Sequence, residues 1–150
     1  MNPRSDDERA APATALAQDL AALIGKLKRR LREQAHVGEL TPSQASTLLR
    51  LEKDGPATAS SLARAEGMRP QSMGAVIAAL EAAGMVRGAA DPHDGRQTIL
   101  SLTDACRKRI QEGRAARRDW LSSAIQARLS PQEQDDVAAA VALLKRLVDD

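Results

Sequence analysis

The sequence predicts a mainly α, α+β fold of six helices and a small hairpin of two or three strands. Three observations carry it. Apolar residues recur at helical spacing over most of the chain, two short helices in its middle are joined by a glycine-containing turn, and two strand-like runs flank a Pro/Gly turn directly afterwards. The 150 residues, 43% hydrophobic and 28% charged, suit one intertwined domain with a core of its own. No stretch approaches the ~20 uninterrupted apolar residues of a membrane span. The opening MNPRSDDERAAPA is polar and acidic, with no secretory signal, so a cytoplasmic protein without membrane partners is expected.

Leu16, Leu20, Leu23, Ile24, Leu27 and Leu31 share one face of a first helix, expected from about Ala13 to Gln34. Its basic cluster, Lys26 to Arg32, falls late in the helix, where it complements the negative end of the dipole. In LTPSQ, Thr41 caps a second helix, Pro42 suits its first position, and Gln44 completes a capping box; this helix is expected to end near Asp54 and Gly55. Thr58 caps a short third helix through Glu66, stopped by Gly67. Arg69 and Pro70 open a fourth, with Met73, Val76, Ile77 and Leu80 inward, until Gly84 ends it.

MVRGAA and RQTILSL then read as strands around the DPHDG turn, with Leu100 and Leu102 toward the core and Arg96 at the exposed end. A helix-turn-helix followed at once by a hairpin is a winged helix. Thr103 caps a long helix to about Leu129, and SPQEQ opens a last one. Ile110, Leu121, Ile125 and Leu129 of the long helix, with Val137, Val141, Leu144, Leu147 and Val148 of the last, leave apolar faces that the small winged region does not obviously cover. Residues 1–36 and 104–150 are therefore expected to form dimerisation helices around a winged helix-turn-helix at 37–103, making a homodimer.

Composition excludes several chemistries. One cysteine, Cys106, forbids an intrachain disulfide, and with only two histidines no zinc site is expected. Trp120 is the sole aromatic residue, so base stacking on single-stranded nucleic acid has little to work with. No phosphate-binding glycine loop, dinucleotide fingerprint, zinc-protease motif or nucleophile elbow occurs, and neither enzymatic activity nor a cofactor is expected.

Taken together, LTPSQ, DGPATASSLARAEGMRPQSM, LEAAGMV, DPHDGR, LSLTDA and LSPQEQ resemble, in order and spacing, the multiple-antibiotic-resistance regulator (MarR) family of winged-helix transcription factors. The resemblance spans nearly the whole chain. It implies an obligate homodimer that reads a pseudo-palindromic site in double-stranded DNA. Carried over, the start of the recognition helix falls on Arg69, Pro70, Gln71, Ser72 and Met73. The chemistry fits: Gln71 can pair with adenine, Arg69 with guanine or phosphate, Ser72 with either, while Met73 shares the spacing of the core residues. Asp94 and Arg96 match the family's acidic-x-arginine wing motif, in which the arginine enters the minor groove and the acid braces it. Thr58, Ser60 and Ser61 are candidate phosphate ligands as well as capping residues, and Arg87 is a further basic contact.

The chain departs from the family twice. Gly88 and Ala89 stand where many members carry a basic residue, and Cys106 stands where glycine is common. Cys106 lies just inside a helix N-terminus beside Arg107 and Lys108, conditions that favour a reactive, redox-sensing thiolate, although a lone cysteine is more often an inert packed side chain. The resemblance further implies a repressor modulated by a small, often phenolic, effector bound between bundle and wing; an activator would carry the same residues. Without Phe or Tyr, the effector pocket would be mainly aliphatic, with Trp120 and His36 among its few specific groups. His93 sits in the wing turn. The alternative is a winged-helix protein–protein adaptor that has lost DNA binding, favoured by the small net charge of +2 and the missing wing cation. Steep salt dependence of duplex binding separates the two.

Overall fold

The computed structural model describes residues 3–35 and 40–149, with residues 3–9 described by their main chain only. Six helices and three strands run, in chain order, α1 (Pro3–Ala35), α2 (Pro42–Asp54), β1 (Ala57–Thr58), α3 (Ala59–Ala65), α4 (Pro70–Ala82), β2 (Val86–Ala90), β3 (Thr98–Leu102), α5 (Asp104–Arg128) and α6 (Pro131–Lys145) among these residues. They pack as two compact units, residues 37–114 and residues 1–36 with 115–150. No helix among the described residues is long and apolar enough to cross a membrane.

In the 37–114 unit, local chemistry sets the boundaries. The Thr41 hydroxyl accepts the Gln44 N–H while the Gln44 side chain accepts the Thr41 N–H, giving α2 its capping box. Gly67 and Gly84 end α3 and α4 at φ of +63° and +71°, the left-handed backbone that a side chain disfavours. The three strands form an antiparallel sheet in the order β1-β3-β2, with Ala57 and Gly88 on either side of Leu100 and Val86 opposite Leu102. Leu100 and Leu102 face a core that also holds Leu48, Leu51, Leu62, Met73, Ile77 and Leu80. Ile110 packs against this core as well, contrary to its expected place on an uncovered face.

The other unit differs from expectation at its start. The first helix begins at Pro3, ten residues before Ala13, and carries Pro12 inside it. Proline costs one main-chain hydrogen bond there, a cost this 33-residue helix absorbs. At the far end, Ser130 and Glu133 form a second capping box that starts α6. The Ser130 main-chain and side-chain hydrogen bonds hold the Glu133 carboxyl below the usual carboxylate range. None of the α6 side chains is buried, and apolar residues of both terminal helices lie open, with Leu16 67%, Leu23 60% and Val141 45% exposed.

Candidate nucleic-acid interface

The short α3 and the Gly67 turn deliver α4 with its first turn facing outward. Met73 is 0% exposed and belongs to the core, as its spacing with Ile77 and Leu80 predicts, so Arg69, Pro70, Gln71 and Ser72 project from the opposite side and are exposed. Arg69 occupies the N-cap position but makes no capping side-chain bond, which leaves its guanidinium outside the helix's own needs. Pro70 supplies the first helical residue, where no N–H is required. Thr58 is engaged locally: its hydroxyl accepts the Ser61 N–H at 3.2 Å and lies 3.3 Å from the Ser60 hydroxyl. Ser60 and Ser61 themselves are exposed.

The wing is built on two aspartates. The Asp91 carboxylate accepts the His93 N–H at 2.9 Å, and the Asp94 carboxylate accepts the Arg96 N–H at 3.1 Å. Main-chain bonds from Asp91 N–H to Gln97 and from Gln97 N–H to the Asp94 carbonyl close the loop. The expected brace between Asp94 and Arg96 is thus a main-chain one. The carboxylate sets the turn from which the arginine leaves, and no ion pair joins the two side chains among the described residues. Arg96 and His93 are exposed at the tip, and Arg87 is exposed on β2, opposite Ser101.

Gly88 has a physical reason. A Cβ there would stand 2.7 Å from the Thr98 methyl, so any side chain at this position requires that methyl to move aside. His36, considered above for an effector pocket, lies outside the described residues.

The structure removes the conditions expected for a reactive Cys106. Thr103 does cap α5, accepting the Cys106 N–H at 3.1 Å, but the cysteine is only 2% exposed and joins the winged core. Burial pushes the thiol up, outweighing the nearby charges of Arg109 and Arg107 that pull it down. Near neutral pH, Cys106 in the native protein is expected to react with a disulfide reagent at least about tenfold more slowly than in the urea-unfolded chain. Equal rates, read from released thiolate absorbance, would restore the reactive reading.

One group near the interface escaped the sequence reading. Glu66, the C-cap residue of α3, directs both carboxylate oxygens to α2: one accepts the Ser46 hydroxyl at 2.8 Å, the other Arg50 Nε–H at 2.7 Å. Arg50 also lies 3.5 Å from Asp54 one helical turn on. The hydrogen bonds from Arg50 and then Ser46 hold the Glu66 carboxyl below the usual range. A second carboxylate of α2, Glu52, receives the forked guanidinium of Arg114 from α5. These partners stand 16, 20 and 62 residues apart, and the only sequence hint was a charged residue directly before the turn glycine.

Comparison with known proteins agrees with this geometry. Residues 39–97 match the model of the MarR family. An HTH-type transcriptional regulator of Mycobacterium tuberculosis is 36% identical over 135 residues, covering 90% of this chain and 94% of the relative. A transcriptional regulator protein from Pseudomonas aeruginosa, solved as a crystal structure, superposes with a TM-score of 0.78 at 34% identity, over 92% of this chain and 97% of that one. A mutant S. aureus MepR, solved bound to an oligodeoxyribonucleotide, shares the fold at a TM-score of 0.72 and 19% identity, over 88% and 97%. The chain belongs to the MarR family, a family of transcriptional regulators rather than enzymes.

Proposed function

We propose that this chain acts as a homodimer that binds a pseudo-palindromic operator in duplex DNA and represses transcription until a small-molecule effector releases it. The carrying observation is the exposure, within one compact unit, of Arg69, Gln71 and Ser72 on the first turn of α4 together with Arg96 at the tip of a loop fixed by Asp94. Helix-first-turn residues suit the base edges of a major groove, and a cation on a narrow hairpin suits an adjacent minor groove. Ser60, Ser61 and Arg87 serve as backbone contacts, with Thr58 holding the helix start. The open apolar faces of α1 and α6 supply the surface through which two copies associate, placing two recognition helices on a twofold. The MepR complex with an oligodeoxyribonucleotide lends the reading support through a shared fold.

Selection of duplexes from a random library by the purified protein tests this. An enriched inverted repeat with half-sites about one helical turn apart, bound with steep salt dependence, is the expected outcome. No enriched motif and no duplex binding at low salt would end the DNA reading and leave the adaptor. On the selected duplex, Gln71→Ala should cost about 1–3 kcal/mol at particular bases only, while Arg96→Ala should weaken all duplexes and flatten the salt slope by about one. Anisotropy titrations at several salt concentrations separate these two signatures, and an equal loss on every sequence would contradict the role of Gln71.

A further inference from the structure

The turn between α3 and α4 is secured from two sides. Its own main chain ties it back to α3, with Glu66 N–H bonded to Leu62, Gly67 N–H to Arg64 and Met68 N–H to Ala63 at 2.8–3.2 Å. Those bonds fix the shape of the turn, but not its position on α2. Position is restrained by the shared core and, at the turn itself, by the Glu66 side chain, which is 12% exposed and spends both oxygens on Ser46 and Arg50 of α2. The Arg50 side chain is 37% exposed and the Ser46 bond lies at the surface, so the cluster adds little stability, but two donors aimed at one carboxylate are directional and charge-assisted. Only Gly67, Met68 and Arg69 separate Glu66 from Pro70, the first residue of α4. A displacement at Glu66 thus lies only a few residues from Gln71 and Ser72.

We propose that Glu66, held by Arg50 and Ser46, is a positioning residue for sequence reading: it sets where the first turn of α4 stands, and with it how well bases are discriminated. This rests on the DNA-binding function proposed above. Base contacts need placement within about half an ångström to a few tenths more, while phosphate contacts made by long cations tolerate greater freedom. Loss of the restraint accordingly lowers affinity for the operator and spares affinity for unrelated duplex.

Glu66→Gln is the sharpest probe. It keeps the shape but removes the charge: the remaining oxygen can accept the Nε–H of Arg50 and the NH2 can donate to the Ser46 oxygen, so the two contacts lose their charge-assisted strength while the packing is kept. The measured quantity is the ratio of affinities for the duplex selected by the wild-type protein and for a scrambled duplex. A substitution that only unfolds part of the sample scales both affinities together and leaves that ratio unchanged. Glu66→Gln is expected to lower the ratio about tenfold, with scrambled-duplex affinity and salt slope within about twofold of wild type. Glu66→Asp, which keeps the charge and reaches one partner, should recover part of the loss, and circular dichroism should show both variants folded. A ratio unchanged within about twofold, a parallel fall of both affinities, or an Asp variant no better than the Gln variant would each overturn the positioning role. If the wild-type protein enriches no duplex at all, DNA reading itself fails and the positioning role falls with it; enrichment with an unchanged Glu66→Gln ratio removes the positioning role alone.

Discussion

Truncating Met73 to alanine is expected to lower the unfolding free energy of the winged unit by about 2–5 kcal/mol, the range for removing a fully enclosed aliphatic-sized side chain and leaving a cavity. Met73 is 0% exposed and sits among Leu62, Leu80 and Leu102 in the core cluster. It is also the first residue of α4 to turn inward, directly after the exposed Gln71 and Ser72. Its loss therefore strikes both the core and the anchoring of the candidate reading surface. Met73→Leu, nearly volume-conserving, should cost less than about 1.5 kcal/mol. Urea unfolding followed by far-ultraviolet circular dichroism checks both. A Met73→Ala cost below about 1 kcal/mol would show that the pocket closes over the gap and that the recognition helix is anchored elsewhere.

The second large effect is expected at Val141. In an isolated chain this residue is 45% exposed on a helix with no buried side chain, and aspartate there would change stability by no more than about 0.5 kcal/mol. In a homodimer closed through α1 and α6 the same carboxylate is trapped without a partner in each copy, at about 3–5 kcal/mol. Val141→Asp should therefore raise the dimer dissociation constant a hundredfold or more while leaving the helical content of the chain intact. Sedimentation velocity across a concentration series reads this directly. A dimer that survives the substitution would place the association surface away from α6. Because the two effects differ in kind, one on folding and one on assembly, they are separable in the same pair of experiments.

Much of the fold was legible because its signals are local. Thr41 with Gln44, Ser130 with Glu133, and the glycines at 67 and 84 each fix a boundary through atoms a few residues apart. The inward set Met73, Ile77 and Leu80, and the pair Leu100 and Leu102, followed from periodicity alone. What escaped depends on distant partners or on main-chain detail. Ala57 and Thr58 form a strand only because Leu100 and Ile99 lie beside them, and no pattern in two residues announces that. The first helix was expected only from about Ala13, where its apolar spacing begins, yet it starts at Pro3 and carries Pro12 inside it, upstream of any apolar face that could announce it. Asp94 was legible as a brace, but whether it holds the guanidinium or the amide of Arg96 is decided by turn geometry. Cys106 could be read as reactive from its position at a helix start or, as a lone cysteine, as packed and inert, and its burial in the winged core supports the packed reading. Glu66 had no local signature at all, since its partners are brought to it by the packing of α2.

The lone indole has a consequence for how this protein can be watched. Trp120 lies on α5 within the unit formed by the chain ends, with the Arg30 guanidinium 5.9 Å from its ring centre, and no tyrosine or phenylalanine accompanies it. Intrinsic fluorescence and near-ultraviolet dichroism are therefore silent about the winged unit and report only the helices around Trp120, whereas far-ultraviolet dichroism sums over both. A denaturation curve followed by emission and one followed by ellipticity are in effect two different experiments, and the gap between their midpoints measures how independently the two units melt.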